Sequence, residues 1–260
     1  MLLPTMTLKE LHRAVFADKQ FIEDKLDATV KEFKRVVLKA GSLPVKRRYS
    51  YKSYASNIPY TYTLFAYRRS DWNNPIYTIS TTYNHDGGTT LIIINNIDKK
   101  LMLITPHLLM RLRERYLNNV QISTQEVINF LIDNYGRSTT KIANVVRKNT
   151  DKYDPDMTYF AIVTPLGVFY CEEEKRMHDV SVFTTYLPQE MLKEEQYRTI
   201  FIEYFKVYCE AYAIHNPKEA NAVNATCQQI LVDATIHNWP HEKILAETNR
   251  FMDEHPLYVL

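Results

Sequence analysis

The chain has 260 residues, 45% of them hydrophobic and 24% charged, a globular composition that excludes intrinsic disorder, collagen-like repeats and coiled-coil rods. Its formal net charge is +2, and it holds only Gly41, Gly87, Gly88, Gly136 and Gly167, where average usage predicts about 18 glycines. A Rossmann fingerprint, a P-loop, a kinase glycine loop and a G-x-S-x-G elbow all need glycine at fixed offsets and none can be assembled here, so a dinucleotide or P-loop nucleotide enzyme is not expected, nor is a cofactor.

Residues 7 to 40 read as helix, with Leu11, Val15, Ile22, Leu26, Val30, Phe33 and Val37 recurring at helical spacing. Thr7 or Asp18 serves as a cap and Gly41 as a stop, and two helices or one bent helix both satisfy the pattern. From Arg48 to Leu103 the texture changes to runs of Tyr, Thr, Ile and Val, which predicts strands, with a hairpin from Ile76 to Ile94 turning at Asn84 to Gly88. The strand Lys100 to Ile104 leads into a helix whose start is marked by Thr105 at the N-cap and Pro106 at the first helical position. Ser123-Thr-Gln-Glu126 is a capping box for a second helix running toward Gly136. Tyr159–Val163, Gly167–Glu172 and Val180–Leu187 read as three strands with turns at Pro165 to Gly167 and Glu173 to Asp179. Helices are expected over Glu194–His215, Glu219–His237 and Glu242–Asp253, punctuated by Pro217, Pro240 and Pro256.

This order predicts an α+β fold: an antiparallel sheet core with packed helices, flanked by N-terminal and C-terminal helical segments. The expected divisions are a helical segment over residues 1–44, a core over 45–190 and a helical segment over 191–260. Cys171, Cys209 and Cys227 are far apart and odd in number, which fits reduced thiols. The N-terminal residues lack a basic, then apolar, leader, and no later stretch approaches the roughly 18 apolar residues of a membrane span. The expectation is a soluble cytoplasmic protein with no membrane partner.

Charge is unevenly placed: +2 over residues 1–41, +9 over 42–152, −4 over 153–188 and −5 over 189–260. Two readings stand. A cationic middle can face a polyanion, or the two regions neutralise each other within the fold.

One constellation stands out on the helix after Pro106. At about 100° per residue, Leu108, Leu109, Leu112 and Tyr116 make one face, and His107, Arg111 and Arg115 form an adjoining stripe at i, i+4 and i+8. A histidine in the first turn sits near free N–H groups and the positive end of the helix dipole, and two guanidiniums add attraction for a phosphate. Such a group suits metal-independent RNA cleavage: the imidazole exchanges a proton and the arginines hold the phosphate. The plain structural alternative is that the arginines pair with carboxylates such as Glu114 and Glu126.

The element order over about residues 100–188 resembles the RelE/BrnT-like ribonuclease toxins. The resemblance rests on a strand, Thr105-Pro-His107 opening a helix, Arg111 and Arg115, the helix at Ile122–Val127, and a closing strand Val182-Phe-Thr-Thr-Tyr186. It implies a small antiparallel sheet on two helices that cuts RNA without a metal. His107 would then be the acid/base group, Arg111 and Arg115 the phosphate holders, and Thr184 and Tyr186 the closing-strand contributors. The helices outside residues 100–188 have no counterpart in that family. They support an alternative: a non-catalytic interaction or structural protein that keeps a degenerate core of this type.

Arg47, Arg48, Lys52, Arg68 and Arg69 lie among Tyr49, Tyr51, Tyr54, Tyr60, Tyr62 and Tyr67, a mixture that suits single-stranded nucleic acid. Tyrosine is also a good strand former with a half-wet side chain, so the same residues read equally as sheet. His237 and His241 are interrupted by Pro240, and Cys171, Glu172 to Glu174 and His178 match no zinc spacing, so no metal site is expected. The C-terminal helices, apolar on one face and acidic on the other, are the expected surface for a protein partner or a homo-oligomer.

Overall fold

The computed structural model describes residues 2–85, 87–135, 140–143, 156–164, 167–175, 177, 179–188 and 191–255. Gly136, the Pro165–Leu166 turn and His178 lie outside the described residues. In chain order the first elements are α1 (Leu8–Phe16), α2 (Lys19–Lys39), β1 (Val45–Lys52), β2 (Pro59–Ala66), β3 (Ile76–His85), β4 (Gly88–Asn95), β5 (Lys100–Ile104), α3 (Pro106–Arg115) and α4 (Thr124–Tyr135). They are followed by β6 (Thr140–Ala143), β7 (Met157–Thr164), β8 (Gly167–Glu174), β9 (Val180–Leu187), α5 (Glu194–His215), α6 (Ala220–Ile236) and α7 (His241–Glu254). The fold is α+β, with a mostly antiparallel sheet. Two compact units divide the chain. The first comprises Met1–Ser138, Arg147–Tyr159 and Tyr170–Tyr186; the second comprises Thr139–Val146, Phe160–Phe169 and Leu187–Leu260.

In the first unit β1 to β5 are successive antiparallel neighbours, and β9 runs parallel to β5. Between β5 and β9 the chain passes through α3, α4 and the strands β6 to β8, since a parallel partner requires a long crossover rather than a tight turn. Register aligns Tyr49, Tyr62, Ile79, Ile94, Leu101 and Val180 across six strands. All six belong to, or pack on, one buried cluster with Leu11 and Val15 of α1 and Ile22, Leu26, Phe33 and Val37 of α2. The helical spacing of those α2 residues makes a single stripe, and burying each such side chain contributes about 1.5–3 kcal/mol. Alternate strand positions point the other way. There Leu91, Ile93 and Ile104 are buried, as are Leu108, Leu109 and Leu112 of α3 and Val127, Ile128, Leu131 and Ile132 of α4.

Local chemistry sets the ends of these helices. At α1 the Thr7 hydroxyl accepts the Glu10 N–H at 3.3 Å, and the Glu10 carboxylate accepts the Thr7 N–H at 2.9 Å. This reciprocal cap also holds the Glu10 carboxyl below its ordinary range. Thr105 caps α3 by accepting the Leu108 N–H at 3.2 Å, with Pro106 behind it. Ser123 and Glu126 repeat the reciprocal cap at α4, and Glu126 is likewise lowered by its bonds to Ser123. Gly88 is needed for packing: a Cβ there would lie 2.6 Å from the Pro106 Cβ, so the β3–β4 hairpin touches the start of α3 only because position 88 has no side chain.

The second unit holds the β6–β7 antiparallel pair, with Thr140 opposite Val163, and the helices α5 to α7. Phe205, Cys209, Tyr212, Val223, Cys227, Leu231 and Phe251 form its helical core. The Cys209 and Cys227 thiols hydrogen-bond each other, which pushes Cys209 up and Cys227 down. All three cysteines are buried. Among the described residues no helix is long and apolar enough to cross a membrane.

Candidate functional site

The α3 stripe is formed, and its three members have different surroundings. His107 is exposed in the first turn. Arg111 donates from Nη1 to Glu114 Oε2 at 3.2 Å, an i, i+3 pair on side chains that are 35% and 36% exposed. Arg115 donates from Nη1 to the Tyr186 carbonyl at 3.0 Å, which ties the last turn of α3 to the end of β9. Eight residues of helix separate His107 from Arg115, about 12 Å along the axis. The guanidinium at that far end is turned to the end of β9.

The closing-strand residues are also in internal contacts. The Thr184 hydroxyl donates to the Tyr170 carbonyl at 3.2 Å, a bond to the neighbouring strand β8. Tyr186 is fully buried, and its ring meets Tyr116 edge-on at 6.4 Å; Tyr116 in turn packs on Phe130 of α4 at 5.4 Å. The aromatic wedge and the Arg115 bond thus secure the same strand end against α3 and α4.

The basic and aromatic residues of β1 divide by face. Tyr49 and Tyr51 pack toward α2: burial pushes the Tyr49 phenol up, and the Tyr51 ring meets Tyr62 at 5.7 Å and lies under the Lys25 ammonium at 5.1 Å. Their faces are covered, so they offer no platform for stacked bases. Lys46 and Arg48, on the alternate face, both bind the Asp133 carboxylate of α4, Lys46 at 2.5 Å, and Arg48 also donates to the Asn129 carbonyl at 3.0 Å. Arg69 donates to the Ala40 carbonyl at 3.0 Å. Arg47, Lys52 and Arg68 are exposed, as is Tyr54 in the β1–β2 turn. The structure therefore does not assemble these side chains into one basic, aromatic patch.

Two groupings escaped the sequence reading. The first is a buried knot around Asp18, which is 5% exposed. Its carboxylate accepts the hydroxyls of Ser53 at 3.0 Å, of Tyr60 at 2.9 Å and of Ser56. Asp18 stands at the N-cap of α2, yet it makes no side-chain cap bond there and instead ties the α1–α2 elbow to the β1–β2 turn. Burial and the Asp18 carboxylate both push the Tyr60 phenol far up, and burial does the same to Tyr62, whose hydroxyl donates to the Ile22 carbonyl at 3.2 Å. Every oxygen in the knot has a partner, so it reads as a joint.

The second is an open cleft of about 920 Å³ along α1, lined by Lys9, His12, Arg13, Lys99, Glu174 and Asp179 among others. His12 is bound to the Lys99 carbonyl at 2.8 Å and packs on Phe16 at 4.6 Å. The lining thus carries both cations and carboxylates. Among the described residues no group of three His, Cys, Asp or Glu side chains is gathered for a metal ion.

No protein-family model matches the chain. Neither the curated proteins nor the solved structures contain a match to it.

Proposed function

We propose that this chain is a non-catalytic interaction protein, in which a core laid out like a RelE/BrnT-type nuclease serves as a scaffold. The observation that carries this reading is the bond from Arg115 to the Tyr186 carbonyl at 3.0 Å. A guanidinium that spends an Nη1 donor on a strand end acts as a fastener and keeps fewer of its five N–H donors for a phosphate. Arg111, paired with Glu114, and Tyr186, buried beneath Tyr116, support the same reading. RNA binding without cleavage is the second reading, favoured by the +9 charge of residues 42–152.

The full chain, incubated with single-stranded RNA in EDTA, is expected to leave the RNA intact. Light scattering and affinity capture are expected to reveal an oligomer or a protein partner. Cleavage lost in His107→Ala would overturn the reading in favour of a nuclease, and a monomer that captures no protein would also contradict it.

A further inference from the structure

The first strand of the sheet has one open side. In the strand order β1 is terminal and, among the described residues, pairs only with β2. The register identifies which of its main-chain groups face outward. One step beyond the Lys52–Pro59 pair, the Ser53 N–H bonds to the Ile58 carbonyl at 2.9 Å. Antiparallel ladders alternate bonded and non-bonded pairs, and Pro59, which has no N–H, fits a non-bonded one. The residues bonded to β2 are then Tyr51, Tyr49 and Arg47. The outward N–H and C=O groups belong to Lys46, Arg48, Ser50 and Lys52.

The charged residues of the strand itself are all cations. Lys46, Arg47, Arg48 and Lys52 lie on the strand, and Lys25 stands over Tyr51. The carboxylates facing them are Asp133 on α4, which binds Lys46 and Arg48, and Glu32 on α2, close enough to Tyr49 to raise its phenol. Five cations against two carboxylates leave about +3 over the strand and these neighbours on α2 and α4. Lys46, Arg47, Ser50 and Lys52 are exposed, and Arg47 and Lys52 have no ion pair among the described residues.

We infer that β1 is a docking edge for an acidic, extended peptide segment of a partner protein, which joins the sheet as an added strand. The inference rests on the interaction reading and specifies its surface. Main-chain donors and acceptors at Lys46, Arg48, Ser50 and Lys52 supply the ladder, and carboxylates at alternate peptide positions meet the cations. A second copy of this chain is disfavoured, because two such edges oppose like charges. Nucleic acid is disfavoured because Tyr49 and Tyr51 face α2, which leaves main-chain groups and charge but no stacking surface. The competing explanation is that charge on an edge strand exists only to prevent pairing.

The test uses the full-length chain and an end-blocked octapeptide alternating glutamate with threonine. A lysine-for-glutamate version and a single-stranded oligouridylate are run beside it. Fluorescence anisotropy is expected to show binding of the glutamate peptide alone. Amide exchange is expected to slow at Lys46, Arg48, Ser50 and Lys52 but not to change at Arg47 or Tyr49. Ser50→Pro removes an outward N–H without touching the bonds to β2, and should abolish binding. Lys52→Glu should weaken it about tenfold, the equivalent of one good charge contact.

If Ser50→Pro fails to fold, Lys52→Glu and the exchange pattern decide. Binding that survives folded Ser50→Pro overturns strand addition while leaving a protein interaction elsewhere. No peptide binding overturns the proposal and supports the protective explanation; a partner still captured by the full chain then shows that the interaction reading itself survives. Binding of oligouridylate in preference to the peptide overturns both.

Discussion

The Asp18 knot and the α3 stripe are both gatherings of polar groups in the first unit, and they differ in the way that separates joints from sites. At Asp18 the groups are buried, apart from the half-buried Ser56, and turned on one another, with three hydroxyls on a single carboxylate. On α3 the groups are spread along a helix at intermediate exposure, and each turns to a separate neighbour apart from the exposed His107. A spacing that suits phosphate chemistry is therefore not convergence on a phosphate. Convergence in this unit occurs where the chain needs to fasten an elbow to a turn.

The largest way to sharpen that contrast is Asp18→Ala. It removes the acceptor from buried Ser53 and Tyr60, and should cost about 3–5 kcal/mol in urea unfolding. Asp18→Asn keeps one acceptor oxygen and should cost less. A loss below about 1 kcal/mol for the alanine variant would mean that the knot contributes no more than an average surface contact.

Alkaline pH acts on the same joint. Tyr60 and Tyr62 are raised above the ordinary phenol value of 10.0, chiefly by burial. Their protonated forms are thus preferred in the folded chain. Their contribution is complete below pH 10 and declines above it, because the unfolded chain releases those protons first. The slope should approach about 1.4 kcal/mol per pH unit for each tyrosine. Denaturation curves between pH 8 and pH 11 check this, and a Tyr62→Phe variant should show a shallower decline. A stability independent of pH above 10 would contradict the buried-phenol account.

On the α3 side the expected effects are smaller. Gly88→Ala drives a methyl group into Pro106 and should cost about 1–3 kcal/mol as the hairpin and the start of α3 move apart. A neutral result in thermal unfolding would show that the hairpin yields without loss. Smallest is the acid response of the two reciprocal caps. Glu10 and Glu126 are lowered by bonds to Thr7 and Ser123, so their contribution is present above the ordinary carboxyl range and fades as pH falls through the folded values. Glu126→Gln should flatten that acid limb slightly in denaturation curves taken from pH 6 to pH 3, and an unchanged limb would count against a role for the cap.

What could be read from the amino acids was governed by near neighbours. Thr105 and Pro106 announced the start of α3, Ser123 and Glu126 announced α4, and alternation placed β9 over Val180–Leu187. These signals act within about one helical turn or one strand, where capping and periodicity operate. The strand Thr140–Ala143 carried no such local mark and was not anticipated.

The site residues were harder, because their roles depend on distant partners. Asp18 meets Tyr60 across 42 positions, and Arg115 meets the Tyr186 carbonyl across 71. Period two groups Tyr49 with Tyr51, but only the docking of α2 decides that this face is the covered one. The basic residues on the alternate face were legible as charge and not as partners of Asp133.

The most direct test of the claim that Arg115 of the α3 stripe is a fastener is a paired measurement on Arg115→Ala: urea unfolding together with RNA integrity in EDTA. Loss of the bond to the Tyr186 carbonyl should lower stability by about 1–2 kcal/mol, with RNA left intact by wild type and variant alike. Wild-type cleavage that disappears in Arg115→Ala at unchanged stability would contradict the account.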